Sequence, residues 1–237
     1  MATTADPSHR RRTALIAEDL LWLLLDDESG DMLIDRISIS GVLAGALLVE
    51  LTLPTPATSV PLVRISGAGE LVKPGRLVCA DTGGFPTDPI LVDAMAAIEA
   101  VPCTPKQVIQ KLERGLHKPL LARLSADERV YRNRSRLAGG IPWTSWPTLD
   151  QRGKDVLRRP LQRALLDGQP PDPRTAALIA LLRIVHALPQ QCPGWRRSII
   201  EECADRLVAG CNPLVSSPVD AVQAAVCDTY AGAYLIL

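Results

Sequence analysis

The pattern of apolar and polar positions predicts a chain built mainly of helices. From residue 13, Leu20, Leu23 and Leu24 recur at helical spacing within the segment ALIAEDLLWLLLDDESG. Residues 39–53 form a second apolar helix with small residues on one side, and Pro54 ends it. Further helices are predicted over residues 88–100, from Thr104, and over 152–166, 174–188, 195–209 and 218–237.

Two of these helices differ in how they are expected to pack. Residues 174–188 follow an Asp-Pro helix start and include a wholly apolar stretch, so this helix is predicted to be the buried centre. The helix from Thr104 is instead predicted to be two-sided, with Lys111, Arg114 and Lys118 on its polar side. A short further helix is predicted from Pro119.

Three segments predict β structure. Residues 60–65 and 71–79 alternate weakly and resemble a hairpin, and residues 32–36 are expected to form a short strand. Residues 129–147 have a Gly-Gly pair in the middle and two tryptophans after it, which favours a second hairpin with an apolar limb. The pattern predicts one mostly helical domain over residues 13–237 and a disordered tail at residues 1–12.

The amino-acid composition limits the classes of protein to which the chain can belong. The chain has 237 residues, 47% apolar and 22% charged, as in ordinary globular proteins. The apolar run at residues 41–49 is too short to span a bilayer, and aromatic residues at 3% are too few for stacking single-stranded nucleic acid. Six cysteines without a C-x-x-C pair favour buried thiols in a reducing cytoplasm, without a disulfide framework or metal site.

Charge is balanced overall but unevenly distributed. The net charge is zero, which excludes a polycation that coats nucleic acid indiscriminately. Residues 106–163 nevertheless contain 14 basic and 5 acidic residues, whereas residues 18–35 contain 7 acidic residues and no basic one. A basic zone with Trp143 and Trp146 suits an anionic membrane surface. A solvated basic face, with the tryptophans packed on the body, remains the alternative.

The sequence offers little for catalysis. Neither His117 nor His186 has an obvious carboxylate or nucleophile partner in the sequence. Glu18 and Asp19 are interpreted as acids that favour a helix start, rather than as a catalytic pair. The Gly-Gly pairs lack the phosphate-loop pattern. The prediction is therefore a protein that is not an enzyme and has no cofactor.

Four segments of the sequence are informative in combination: EDLLWLLLDDESG (18–30), GVLAGALLVELTL (41–53), LHKPLLARL (116–124) and DGQPPDPRTAALIALL (167–182). Together, in this order, they resemble the Golgi phosphoprotein 3 family, in its bacterial, actinobacterial-type branch. The resemblance runs from about residue 13 to the C terminus. It implies a single, mainly α domain in which amphipathic helices surround a buried central helix and a small β-hairpin projects from one face. Eukaryotic members bind phosphatidylinositol 4-phosphate at Golgi membranes and retain glycosyltransferases as adaptors, without enzymatic activity.

The family's lipid pocket transfers only in part. Its tryptophan position aligns near Asp35 and its second-helix arginine near Ala44, so the specific phosphoinositide pocket is not expected here. The two later arginines align near Arg114 and Lys118, where basic character persists. The expected headgroup-binding residues are Arg114, Lys118, Arg123, Arg132 and Arg134, and the expected membrane-contacting hairpin residues are Leu137, Ile141, Trp143 and Trp146.

The functional hypothesis is a peripheral membrane adaptor that binds anionic phospholipid or phosphoinositide headgroups through the basic face and the hairpin. It would lie in the cytoplasm at the inner face of the membrane and recruit a protein client. Nucleic acid is not an expected partner, because no helix-turn-helix register is evident. The alternative is a soluble interaction module that self-associates through the hairpin and binds no lipid.

Overall fold

Helices dominate the fold, as predicted. A computed structural model of the chain describes residues 13–54, 60–80, 84–136 and 140–209, together with Asp220. The predicted tail at residues 1–12, Leu137 and nearly all of the helix predicted from Pro218 lie outside the described residues. The elements are α1 (Ile16–Leu23), α2 (Arg36–Thr52), β1 (Val63–Ile65), β2 (Leu77–Cys79), α3 (Pro89–Glu99), α4 (Pro105–Leu112), α5 (His117–Ala126), β3 (Asn133–Arg136), β4 (Pro142–Ser145), α6 (Gln151–Leu166), α7 (Pro173–Ile184) and α8 (Arg197–Ala209).

The core is centred on α1 and α7. In α7 every residue from Thr175 to Leu182 is buried, because this stretch has no charged residue on any side. The helix contacts α1, α2, α6 and α8, which confirms the predicted buried central helix surrounded by others. All eight residues of α1 are buried as well, including Glu18 and Asp19, so α1 shares the central position.

Helix starts are set by side-chain caps that are visible in the sequence. The Asp172 carboxylate accepts hydrogen bonds from the backbone N–H groups of Arg174 and Thr175 at 3.0 and 3.1 Å, just before Pro173. Thr104 caps α4 and forms a capping box with Gln107. Such caps satisfy backbone donors that have no partner inside the helix. They fix the first turns of α4 and α7.

The predicted basic helix from Thr104 is wrong in its extent. α4 ends at Leu112, and Gly115 adopts a φ of +76°, which a non-glycine residue rarely tolerates. Pro119 lies in the first turn of α5, where its missing N–H costs nothing. The chain therefore begins a new helix before Pro119. Arg114 lies in the turn between the helices and Lys118 in α5, not together on one helical face.

The predicted strand at residues 32–36 is also wrong. Met32 makes only a single antiparallel bridge with Leu25, and α2 already begins at Arg36. The Asp35 carboxylate accepts a hydrogen bond from the Ser38 backbone N–H at 2.9 Å, the geometry of an N-cap. Because Asp35 caps the start of α2, the chain becomes helical there and cannot continue as a strand.

Both hairpins are present and antiparallel. β1 pairs with β2, with Val63 opposite Cys79, and β3 pairs with β4, with Asn133 opposite Ser145. α6 follows the second hairpin and is continuous through Pro160, without a restart there. In the part of the chain that the structure describes, no helix has both the length and the apolar character needed to cross a bilayer.

Candidate functional site

The second hairpin presents its arginines on one face. Side chains alternate between the two faces of a strand, so Arg132, Arg134 and Arg136 lie on the same side of β3 and its approach. The register places Thr144 opposite Arg134 and Pro142 opposite Arg136. All three arginines are exposed. Arg136 was not among the predicted site residues, although its spacing from Arg134 was the signal that could have identified it.

The other face of the hairpin is turned toward the body. Trp143 lies opposite Ser135, and its neighbour on the same face, Ser145, is buried. The Trp143 indole Nε1–H donates to the Asp31 carboxylate at 2.8 Å. The register therefore places Trp143 and the arginines on opposite faces of the two strands.

The remaining predicted hairpin residues occupy different positions. Ile141 is 60% exposed just before β4. Trp146 is half-buried at the hairpin base, and the Arg132 guanidinium lies 5.8 Å from the centre of its ring, within cation–π range. Trp146 thus helps to position an arginine of the outward face.

A short acidic turn, defined here as residues 26–31, supports the hairpin base. The backbone N–H of Trp146 donates to the Gly30 carbonyl at 2.9 Å, and that of Thr148 donates to the Asp27 carbonyl at 3.1 Å. A Cβ added at Gly30 would lie 2.1 Å from the Pro147 nitrogen, and its φ is +70°. Only glycine fits where the acidic turn and the hairpin approach so closely.

The acidic turn also binds to α6. The fully buried Lys154 ammonium lies 2.6 Å from the Asp27 carboxylate and donates to the Leu25 carbonyl at 2.7 Å. Arg158 binds the same carboxylate through both terminal nitrogens, at 2.6 and 2.9 Å. This arrangement, called the Asp27 clasp below, joins α6 to the acidic turn.

Burial and charge pairing oppose each other in the clasp. Burial lowers the pKa of Lys154 to about 8, although the hydrogen bond to Asp27 opposes the shift. Burial acts to raise the pKa of Asp27, but hydrogen bonds from Arg158 and Lys154 outweigh it and hold that pKa well below its usual range. Asp27 therefore stays ionised, and its partners depend on that charge.

A second charge network surrounds α1. Arg123 binds the Asp88 carboxylate through two nitrogens, at 2.7 and 2.9 Å, and lies 3.3 Å from Glu18. Asp19 accepts from Arg129 at 3.0 Å and from Arg174 at 2.7 Å. Arg123, a predicted headgroup residue, thus already binds two carboxylates of the protein.

The separation of charge along the sequence is partly cancelled in space. Three of the acidic residues between 18 and 35 form ion pairs with basic residues that come at least a hundred positions later, namely Glu18, Asp19 and Asp27. These three carboxylates consequently serve the core and the clasp.

Other basic residues are left without an acidic partner. Arg114 and Lys118 are exposed, and they form no ion pair within the described residues. They lie at the amino end of α5, whereas β3 follows its carboxyl end. The structure therefore divides the predicted headgroup residues among a turn, an internal ion-pair network and the hairpin face.

The cysteines give no indication of catalysis or metal binding. The four described ones, Cys79, Cys103, Cys192 and Cys203, are free thiols. Burial raises the pKa of Cys192 to about 11, and burial together with Glu99 raises that of Cys79 to about 11, so both stay protonated near neutral pH. Within the described ranges, no group of three or more His, Cys, Asp or Glu side chains could hold a metal ion.

The sequence matches the model of a known protein family. The family model described as Golgi phosphoprotein 3 matches residues 16–228, nearly the whole chain. The match includes α1 through α8 and both hairpins. No curated protein matches the chain.

Proposed function

This chain belongs to the Golgi phosphoprotein 3 family, and on that premise we propose that it is a peripheral membrane protein that binds anionic lipid headgroups. The binding surface is the outward face of the second hairpin. Membership of the family suggests an adaptor role rather than an enzymatic one. The protein then docks on the inner face of the cytoplasmic membrane and holds a protein client there.

The observation behind this proposal is the row Arg132, Arg134 and Arg136. The three side chains share one exposed face and form no ion pair within the described residues, so their charge is not neutralised by the protein. The planar guanidinium group binds phosphate oxygens through two parallel hydrogen bonds. Each arginine near an anionic bilayer surface contributes about 1 kcal/mol of attraction.

Apolar side chains near the hairpin tip would complete the contact. Ile141 is exposed and lies just before β4, and Leu137 follows β3 in the sequence. Trp143 contributes in the same way only when its hydrogen bond to Asp31 breaks, because that bond holds the indole on the body side. The hairpin would thus bind the anionic bilayer first through its arginines, before the apolar side chains make contact.

Arg114 and Lys118 provide a second, weaker candidate contact. Both are exposed, and they occupy the region where basic character of the family persists. Arg123 is excluded from this contact in the observed conformation, because Asp88 and Glu18 already bind it. Replacing Arg123 would therefore disturb the fold before it disturbed a lipid contact.

Sedimentation with vesicles tests the proposal. The wild-type protein is expected to bind phosphatidylcholine vesicles that contain phosphatidylserine or phosphatidylinositol 4-phosphate, but not vesicles of phosphatidylcholine alone. Raising the salt concentration should weaken the binding. Absence of binding to both anionic vesicles at low salt would refute the proposal.

A charge-matched pair of variants makes the test specific. The triple variant R132Q/R134Q/R136Q should lose most of its binding. The variant K73Q/R196Q/R197Q removes the same charge from exposed positions elsewhere and should bind like the wild type. Equal losses in both variants would show that net charge, rather than the hairpin face, determines binding.

One observation favours a second function, self-association through the hairpin. β3 and β4 form a sheet of only two strands, and exposed strand edges are templates for pairing with another chain. Analytical ultracentrifugation of the wild type and of the variant T144P, which removes a donor from β4, would reveal this role. A monomeric wild type would refute it.

A further inference from the structure

α6 has a second charged surface that faces away from the protein. Arg152, Val156, Arg159 and Arg163 follow one another at steps of four, three and four residues, which aligns them along one side of a helix. All four are exposed, Val156 by 62%. We call this row the α6 stripe. It lies opposite the inner side of α6, where Lys154 and Leu161 are buried.

Within the described residues, no carboxylate neutralises the positive charge of the α6 stripe. Its three arginines form no ion pair within the described residues. Asp155, the only acidic residue of α6, lies at the edge of the stripe, three residues after Arg152 and four before Arg159, but it forms no ion pair with either of them. Its carboxylate accepts a hydrogen bond from Gln151 and lies 3.8 Å from Arg158. The stripe is thus a row of three positive charges interrupted only by a valine.

The Asp27 clasp links the α6 stripe to the hairpin. Lys154 and Arg158 on the inner side of α6 bind Asp27, and the backbone of the acidic turn binds Trp146 and Thr148 at the hairpin base. The ion pairs and hydrogen bonds of the acidic turn thus connect the inner side of α6 to the base of the hairpin. α6 and the hairpin are therefore held together as one support.

We propose that the α6 stripe is a second surface for lipid phosphates, so that the protein docks on an anionic membrane through two rows of arginines. The inference rests on the proposed function and specifies how that function is performed. The row is about 16 Å long, at 1.5 Å per helical residue. It can therefore contact several headgroups at once.

The shape of the α6 stripe favours a membrane over an acidic protein segment. A single row on a convex helix gives no walls to enclose a peptide, whereas a bilayer surface is extended and uniformly anionic. Val156, which is 62% exposed, adds apolar surface suited to the interfacial region. Charged side chains at the edge of apolar surface are typical of interfacial contacts.

Vesicle binding of the triple variant R152Q/R159Q/R163Q tests the inference. The affinity for phosphatidylserine vesicles should fall on the order of fivefold per arginine, or about a hundredfold in all. The variant R152K/R159K/R163K keeps the charge and should keep most of the affinity. Circular dichroism should show that both variants fold, because the replaced side chains are exposed.

The outcomes separate this inference from the proposed function. If the glutamine variant binds like the wild type while R132Q/R134Q/R136Q loses binding, the α6 stripe has no lipid role and the hairpin proposal stands. If the wild type does not bind vesicles at all, the proposed function fails first. If the glutamine variant loses affinity for a fluorescent polyglutamate peptide but not for vesicles, the stripe binds an acidic protein and our inference is wrong.

Discussion

The two sides of α6 show how the same residue types acquire different roles. On the inner side, Lys154 and Arg158 are bound to Asp27 and help to hold the acidic turn in place. On the outer side, Arg159 and the other arginines of the α6 stripe form no ion pair in the part of the chain that the structure describes. The neighbouring carboxylate, and not the basic residue itself, decides whether a positive charge serves the fold or remains available to a partner.

The largest loss of unfolding free energy is expected from replacing Lys154 by alanine. The change leaves Asp27 without one of its partners and the Leu25 carbonyl without its donor, in a buried place. Arg158 still neutralises Asp27, but the fully buried lysine side chain leaves a cavity and a carbonyl without its donor, so we expect a loss of about 3–5 kcal/mol of unfolding free energy. Chemical denaturation with urea would measure the loss. An unchanged denaturation midpoint would mean that the Asp27 clasp does not stabilise the fold.

Gly30→Ala tests the other attachment of the acidic turn. The new Cβ would overlap the backbone of Trp146 and Pro147, so we expect a loss of about 2–4 kcal/mol from backbone strain and overpacking. Gly168→Ala is the matched control, because Gly168 also has a positive φ, of +68°, but no atom within 4 Å of an added Cβ. Its expected cost is about 1 kcal/mol. Equal costs at both positions would contradict the close approach.

Acid should weaken the clasp without removing any side chain. The pKa of Asp27 is lower in the folded protein than in the unfolded chain, so its stabilising contribution is present above about pH 3.9 and is lost as the pH falls toward the folded value. Urea denaturation at pH 6 and pH 3 would compare the wild type with Asp27→Asn. The difference between the two proteins should shrink at the lower pH. A constant difference would contradict the role of the Asp27 charge.

Local features of the fold were predictable from the sequence because their causes are local. The Asp172-Pro173 start and the apolar run after it predicted the buried helix α7, and Thr104 predicted the start of α4. The break before α5 was predicted at Pro119, a few residues too late, because apolar spacing continued as far as Leu116. Gly115 was the signal that could have shown where the chain turns.

The candidate site was predictable only in part, for a physical reason. The glycine pair and the apolar residues on either side of it identified the hairpin, since turn residues are read from neighbouring positions. Ion pairs have no such period. Arg123 and Glu18 are 105 positions apart, and Arg129 and Asp19 are 110 apart, so no spacing rule could show that these charges cancel. The fold had to bring them together before the free arginines could be distinguished from the paired ones.

The smallest effect on stability, and the sharpest test of the comparison, comes from two adjacent residues of α6. Arg159→Gln should change the unfolding free energy by less than about 0.5 kcal/mol, because the side chain is exposed and has no acidic partner within the described residues. Arg158→Gln removes two hydrogen bonds to Asp27 and should cost about 1.5–3 kcal/mol. Vesicle binding should show the reverse order, with the greater loss in Arg159→Gln. If the two variants behave alike in both measurements, the division of α6 into a structural side and a free side is wrong.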